Sequence, residues 1–79
     1  MRARVTVTLK PGVLDPQGQA ITGSLRSLGF EGVSSVRQGK VFDLEIADTD
    51  PAEARLSLAA MCEKLLANTV IETYAIEIL

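Results

Sequence analysis

The sequence predicts an α+β domain of the ferredoxin-like class. In this class a βαββαβ chain builds a four-stranded antiparallel sheet with two helices on one face. Three observations predict it. Residues 2 to 10 alternate strictly between apolar and polar side chains, Asp15-Pro16 and Asp50-Pro51 are strong helix starts, and residues 70 to 79 return to a strand pattern. The order strand, helix, strand, strand, helix, strand is that of a split βαβ unit. Right-handed crossovers would place the first and third strands at the centre of the sheet.

In the first strand Ala3, Val5, Val7 and Leu9 point one way, and Arg2, Arg4, Thr6, Thr8 and Lys10 the other, which is a strand with one core face. The second face is threonine-rich and β-prone, not simply charged, so a partner could cover it. Pro11 lacks a backbone N–H and ends strand pairing, and Gly12 lets the chain turn. Asp15 is a good N-cap and Pro16 suits the first helical position. Ile21, Leu25 and Leu28 then recur at helical spacing. Gly23 weakens this helix by about 1 kcal/mol relative to alanine, which suggests a close neighbour. Gly29 is a natural stop, with Phe30 folding back on the last turn.

Residues 32 to 38 read as a weaker strand. Val33 and Val36 do not fit one face, so a bulge or twisted edge is expected. Gln38-Gly39 reads as a hairpin turn into a strand from Val41 to Ala47, with Phe42, Leu44 and Ile46 inward and Val41, Asp43 and Glu45 outward. Asp50, Pro51 and Glu53 open the second helix in a capping-box-like arrangement. Ala54, Leu58, Met61, Cys62, Leu65 and Leu66 form its apolar stripe, and Asn68 can end it. The last strand, Val70 to Leu79, is apolar on both faces: Val70, Tyr74, Ile76 and Ile78 on one, Ile71, Ala75 and Leu79 on the other. Such a strand should be covered on both sides, which two helices on a single face do not provide. This points to a subunit interface.

The 79 residues make a single domain, residues 1–79. A chain of this length buries only about 60% of its unfolded surface. One cysteine permits no internal disulfide, and the absence of histidine argues against a zinc cluster. Oligomerisation is the remaining common support for a small scaffold, and the apolar fraction of 47% is high enough to imply surface buried between subunits. A net charge of −2 and a pI near 4.9 argue against a nucleic-acid surface. No apolar run approaches the roughly 20 residues of a membrane span, and the first residues lack a signal-peptide core. A single thiol, Cys62, suits a reducing cytoplasm and fits a packed helix position.

Catalytic chemistry is hard to find. Ser-His-Asp and Cys-His sets require a histidine, and no phosphate-binding glycine loop is present. Asp43 and Glu45 share one strand face as a potential carboxylate pair, but nothing in the sequence perturbs them. Arg37 and Lys40 flank the expected hairpin and could bind an anion, but an ordinary polar hairpin fits them better. RNA-binding sheets of this class show aromatic residues and a basic surface, whereas Phe42 is expected inward.

Four stretches resemble one family: Val7 to Gly18 (VTLKPGVLDPQG), Leu28-Gly29-Phe30, Val36 to Glu45 (VRQGKVFDLE) and Cys62 to Glu72 (CEKLLANTVIE). Together they span nearly the whole chain, in the order and spacing of the PurS subunit of phosphoribosylformylglycinamidine synthase. Thr69 stands where that family usually has proline. The resemblance implies a small subunit of purine biosynthesis with no active site of its own. It implies self-association as a dimer or tetramer, and bridging of a large synthetase subunit (PurL) and a glutaminase subunit (PurQ) to support ammonia transfer. It further implies that this chain binds no cofactor, while the complex uses ATP and Mg. Interface candidates are Lys10, Pro11, Gly12 and Asp15 in the first loop, Arg37 and Lys40 beside the turn, and Ile71, Tyr74, Ile76 and Ile78 in the last strand. The alternative from the same element order is an ACT-like module binding a small molecule between subunits, with the Pro11-Gly12 turn at its site. An acylphosphatase-like enzyme is the third reading.

Overall fold

The alternation of residues 2 to 10 produces the strand around which the molecule is built. In the computed structural model, which describes residues 1–79, β1 (Arg2–Leu9) lies between two antiparallel neighbours, β2 (Gly39–Glu45) and β3 (Glu72–Ile78), in the order β2-β1-β3. The register stacks matching side chains across all three strands. Val5 lies opposite Phe42 and Ile76, and Ala3 opposite Leu44 and Ile78. These rows form the floor of the core. Its roof is α2 (Pro51–Met61) and a π-helical turn (Cys62–Leu66) that continues it. Ala3, Val5, Val7, Leu58 and Cys62 are buried, with Phe42, Leu44, Tyr74, Ile76 and Ile78 packed around them.

The two predicted helix starts form as written. Asp50 accepts the Ala52 N–H at 3.0 Å, with Pro51 in the first turn. Pro51 carries no N–H, so that donor is the first the helix offers, not that of Glu53 as in a capping box. Asp15 accepts the Gly18 N–H at 2.9 Å and opens α1 (Pro16–Ser27). At its far end Gly29 has a φ of +99°, a left-handed value that glycine adopts without strain. The Gly29 N–H bonds the Arg26 carbonyl at 3.0 Å and the Phe30 N–H the Leu25 carbonyl at 2.9 Å, the paired bonds of a Schellman stop.

The sheet differs from the sequence reading. It has three strands, not four, because residues 32 to 38 do not pair. Two of their backbone groups are held elsewhere. The Gln38 N–H goes to the Asp15 carboxylate at 3.0 Å, and the Val33 carbonyl accepts from Arg26 Nε at 3.4 Å. With only Val33 and Val36 to bury, three residues apart, the segment follows α1 instead of the sheet. Gln38-Gly39 is therefore no hairpin. The strand expected at 41 to 47 forms at 39 to 45 and lies at an edge, not the centre.

The expectation of two helices on one face is also corrected. Only α2 packs on the sheet, and it packs against β3. α1 projects away, and Gly18 is its one buried residue. The radius of gyration is 15.9 Å and the long axis 48 Å, against about 12 Å for the radius of a compact chain of this length. The suggested close neighbour of Gly23 is absent, since nothing lies within 4 Å of a Cβ built there. Instead it is Gly18 that meets the chain closely: its Cβ would fall on the Val36 carbonyl oxygen and 2.9 Å from Asp15 Oδ2.

Two smaller corrections concern the second half. The stripe on α2 is narrower than expected, because Met61 is 36% and Leu65 83% exposed while Ala54, Leu58 and Cys62 are fully covered. The wide π turn, closed by the Ala67 N–H on the Cys62 carbonyl at 3.0 Å, brings Ala67 into the core. The last strand begins at Glu72, and Val70 and Ile71 belong to the turn before it. There the Asn68 carbonyl accepts the Ile71 and Glu72 N–H groups.

Two predictions follow from the root of α1. Gly18→Ala should lower stability by about 1–3 kcal/mol although alanine is the better helix former, because the added methyl displaces Val36. Urea unfolding would measure it, and a stabilised variant would show that residues 33 to 38 yield freely. The N–H groups of Gln38 and Gly18 hold the Asp15 carboxyl below its ordinary 3.8. A depressed folded value adds stability above the unfolded pKa, which is lost as pH falls through the folded one. The wild-type urea midpoint should therefore fall more steeply between about pH 5 and about pH 3 than that of Asp15→Asn. Parallel slopes would remove Asp15 from this role.

Candidate assembly site

The residues singled out in the first loop and beside the expected turn form one cluster. β1 delivers the Leu9 and Lys10 carbonyls to the end of the sheet, and the Arg37 guanidinium donates to both, at 2.6 and 3.1 Å. The Lys10 N–H bonds the Ile71 carbonyl at 2.8 Å, which brings the turn before β3 to the same end. Pro11 and Gly12 are exposed there, Gly12 with a φ of +89°, and the Val13 N–H closes the loop on the Lys10 carbonyl at 3.1 Å. Asp15 completes the cluster by bonding both α1 and Gln38. Lys40 Nζ lies 3.6 Å from Glu72, whose other oxygen accepts the Asn68 N–H at 2.7 Å. Lys10, Asp15, Arg37, Lys40 and Ile71 thus gather at one end of the sheet. There they fix the direction in which α1 leaves.

Tyr74, Ile76 and Ile78 lie apart from this cluster. They are half-buried on the core face. The Tyr74 hydroxyl donates to Glu63 at 3.0 Å, and that bond, with some desolvation, raises its pKa. The opposite face of the same strand presents Thr73, Ala75 and Glu77. On that open face Arg4 pairs with Asp43 at 2.8 Å, which raises the Arg4 pKa, and Thr8 meets Thr73 at 3.4 Å. Val41, Thr6 and Ala75 form a milder row between them.

A cleft of about 240 Å³ opens at the clustered end, where Val7 and Leu9 are outnumbered by Thr8, Asp15, Gln17, Gln38, Lys40 and Glu72. Small-molecule sites are larger and mostly apolar, so its form does not favour a ligand-binding module. Asp43 and Glu45 stay exposed on the open face, Asp43 bound to Arg4. Cys62 is buried beneath the sheet, and desolvation pushes its thiol pKa up, opposite to what a nucleophile needs. No three Cys, Asp or Glu side chains gather closely enough to hold a metal ion. No helix is long and apolar enough to cross a membrane.

Exposed apolar side chains are the surface feature that the sequence reading placed wrongly. Leu28, Phe30, Leu56, Leu65 and Val70 are each more than half exposed. The expected core stripe of the second helix includes Met61 and Leu65, which are exposed. The signal against that was the breadth of the stripe: residues 54, 58 and 62 already cover the face one small sheet can accept.

Comparison with known proteins shows the family. The family model described as phosphoribosylformylglycinamidine (FGAM) synthase, PurS, matches residues 2–79. A phosphoribosylformylglycinamidine synthase subunit PurS from Mycobacterium leprae is 58% identical over 76 residues, covering 95% of this chain and 91% of that one. The Bacillus subtilis PurS crystal structure superposes with a TM-score of 0.87 at 46% identity, covering 96% of this chain and 94% of that one. A chain of the Thermotoga maritima PurLQS structure superposes at 0.90 with 31% identity, covering 99% and 95%. With these matches running nearly end to end, the chain belongs to the PurS family of phosphoribosylformylglycinamidine synthase subunits.

Proposed function

We propose that this chain is the small, non-catalytic subunit that bridges the ATP-dependent synthetase subunit and the glutaminase subunit of the synthase. In that place it supports passage of glutamine-derived ammonia during purine biosynthesis. The observation behind this reading is a fold without a catalytic set but with much uncovered apolar surface, in a chain whose Thermotoga relative belongs to a PurLQS assembly. ATP and magnesium belong to the synthetase subunit in this reading, and the complex works in the cytoplasm. The chain also associates with itself, as a dimer or tetramer, because only eight of its 79 residues are buried when it stands alone.

The clustered end of the sheet serves as the contact with the larger subunits. Its shape is held by backbone carbonyls and one arginine, so a partner meets a rigid surface and pays little ordering entropy. The loop at Lys10 to Asp15 and the residues Arg37 and Lys40 act together there, as their hydrogen bonds already join them. Ile71 adds an apolar member at 39% exposure. Tyr74, Ile76 and Ile78 lie apart from this end, along the core face of β3, where they hold that strand in place.

The test is amidation of formylglycinamide ribonucleotide by the synthetase and glutaminase subunits, with and without this chain, fed by glutamine or by free ammonia. Glutamine-driven turnover should require the chain, and ammonia-driven turnover should not. Lys10→Ala, which leaves the backbone bonds of Lys10 in place, should reduce the glutamine-driven rate at limiting subunit concentration by about tenfold, the effect of one interface anchor, while its circular dichroism stays that of the folded subunit. Glutamine-driven rates that ignore both the omission and the substitution would overturn the bridging role.

A further inference from the structure

Beside α2 opens an apolar groove lined by Leu44, Met61, Leu65 and Leu66. The fold leaves a second surface open, and this one is made of main chain. β3 is an edge strand. The Leu79 N–H bonds the Arg2 carbonyl at 3.0 Å, and the Ile71 carbonyl accepts the Lys10 N–H at 2.8 Å. Bonded residues alternate along an antiparallel pair, so between these two points Thr73, Ala75 and Glu77 direct their backbone groups to β1. Those of Tyr74, Ile76 and Ile78 point away from the sheet. Glu72 also points outward, but its N–H is bonded to the Asn68 carbonyl at 2.8 Å. Arg55 reaches the Ile76 carbonyl at 3.4 Å, and a carbonyl with two lone pairs accepts a second donor. The row open to a partner is therefore Tyr74, Ile76 and Ile78.

An unpaired row of this kind is a template for another strand, and proteins usually guard it with charge, proline or a bulge. The opposite edge is guarded, because the exposed acids Asp43 and Glu45 stand on β2. β3 has no proline or lysine, and its register against β1 runs unbroken from Glu72 to Ile78. Of its two acids, Glu72 is held by Lys40 and the Asn68 N–H, and only Glu77 is exposed. We propose that β3 pairs antiparallel with β3 of a second copy across a two-fold axis, joining two sheets into one. This rests on the self-association named above and specifies a surface for it. The free groups fix the register. With Ile76 opposite the partner's Ile76, Tyr74 falls opposite the partner's Ile78, and every open N–H meets an open carbonyl. Centring the axis on Ala75 instead would set Ile78 against the partner's Glu72, whose N–H is already bonded. The side chains agree with this choice. On the core face Tyr74, Ile76 and Ile78 extend the apolar rows of both copies. On the open face Ala75 lies opposite the partner's Glu77, so no like charges meet. Because the row complements itself, one two-fold operation closes both edges at once.

Register-specific disulfide capture tests this. Ala75 and the partner's Glu77 would form a non-hydrogen-bonded pair with Cα atoms about 4.5 Å apart, within disulfide reach. Chains carrying Ala75→Cys and chains carrying Glu77→Cys are unfolded together in urea, refolded as a mixture and oxidised. The unsubstituted chain, whose sole thiol is the buried Cys62, is the control. The expected result is a two-chain disulfide that is abundant in the mixture and scarce with either variant alone. Both positions are exposed, so the fold tolerates them. Sedimentation supplies the second readout. Ala75→Glu sets like charges opposite each other at two symmetric points and should weaken self-association about fivefold or more. Adding Glu77→Lys to that variant should restore it, which a merely local disturbance would not do. If the chain sediments as a dimer or tetramer but gives no mixed disulfide and ignores both charge changes, the edge pairing is wrong and self-association stands on another surface. Disulfides equally abundant in the mixture and with either variant alone would also overturn the register. If the chain sediments as a monomer at every concentration, both readings are wrong.

Discussion

One carboxylate accepts two backbone N–H groups that lie far apart in sequence, Gly18 at 2.9 Å and Gln38 at 3.0 Å. With the Arg37 guanidinium on the Leu9 and Lys10 carbonyls, this determines how the chain leaves β1. The remaining architecture depends on it. Once α1 is rooted outward, residues 33 to 38 lie against α1 instead of beside β2. The sheet then stops at three strands and β2 becomes an edge. The absence of α1 from the sheet leaves half of the core face without a roof. The segment is held near both ends, its Val33 carbonyl by Arg26 and its Gln38 N–H by Asp15, and this places it beside α1 and away from the sheet edge.

What remains is a small core that is well satisfied but thin. No buried side-chain polar atom lacks a partner, so the interior carries no penalty for unmade hydrogen bonds. Its deficiency is apolar. Leu58, Val5, Val7 and Cys62 are the largest side chains that are fully covered. Burial of a side chain such as Leu58 or Val5 stabilises by about 1.5–3 kcal/mol, and four covered side chains are few for a chain of 79 residues. A core of this size does not favour an isolated chain strongly. The side chains left outside, from Leu28 on α1 to Leu65 on the π turn, are the remaining source of stabilisation. Only contact with another chain can use it.

Much of this was legible in the residues. Asp15-Pro16 and Asp50-Pro51 gave both helix starts, Gly29 gave the stop, and the strict alternation of β1 gave the core face, because capping and side-chain period are local properties. Residues 32 to 38 misled because their fate is not local: nothing in Val33-Ser34-Ser35-Val36 reveals that Arg26 and Asp15 will claim the backbone groups around it. The same holds for Gly23 and Gly18. Both are glycines inside one helix, and only the path of a distant carbonyl decides which is obligatory. Lys10, Asp15, Arg37 and Lys40 were chosen from two separate loops, and the folded chain joins them. Tyr74, Ile76 and Ile78 were chosen for apolar character, which in β3 mostly serves the core.

An assembly subunit is under a different constraint from an enzyme. An enzyme must hold reactive groups at fixed distances within a site shielded from water. A bridging subunit must hold surfaces at fixed angles and keep them uncovered until partners arrive. The geometry of this chain meets the second requirement. Its most rigid hydrogen-bonded cluster lies at the base of a projecting helix, where a small change in angle moves the far end through many ångströms. Its apolar side chains lie on that helix and beside the groove, not in a closed pocket. The low acidity of Cys62 and the ordinary pairing of Arg4 with Asp43 belong to the same economy. In this chain charge and sulfur serve packing and orientation.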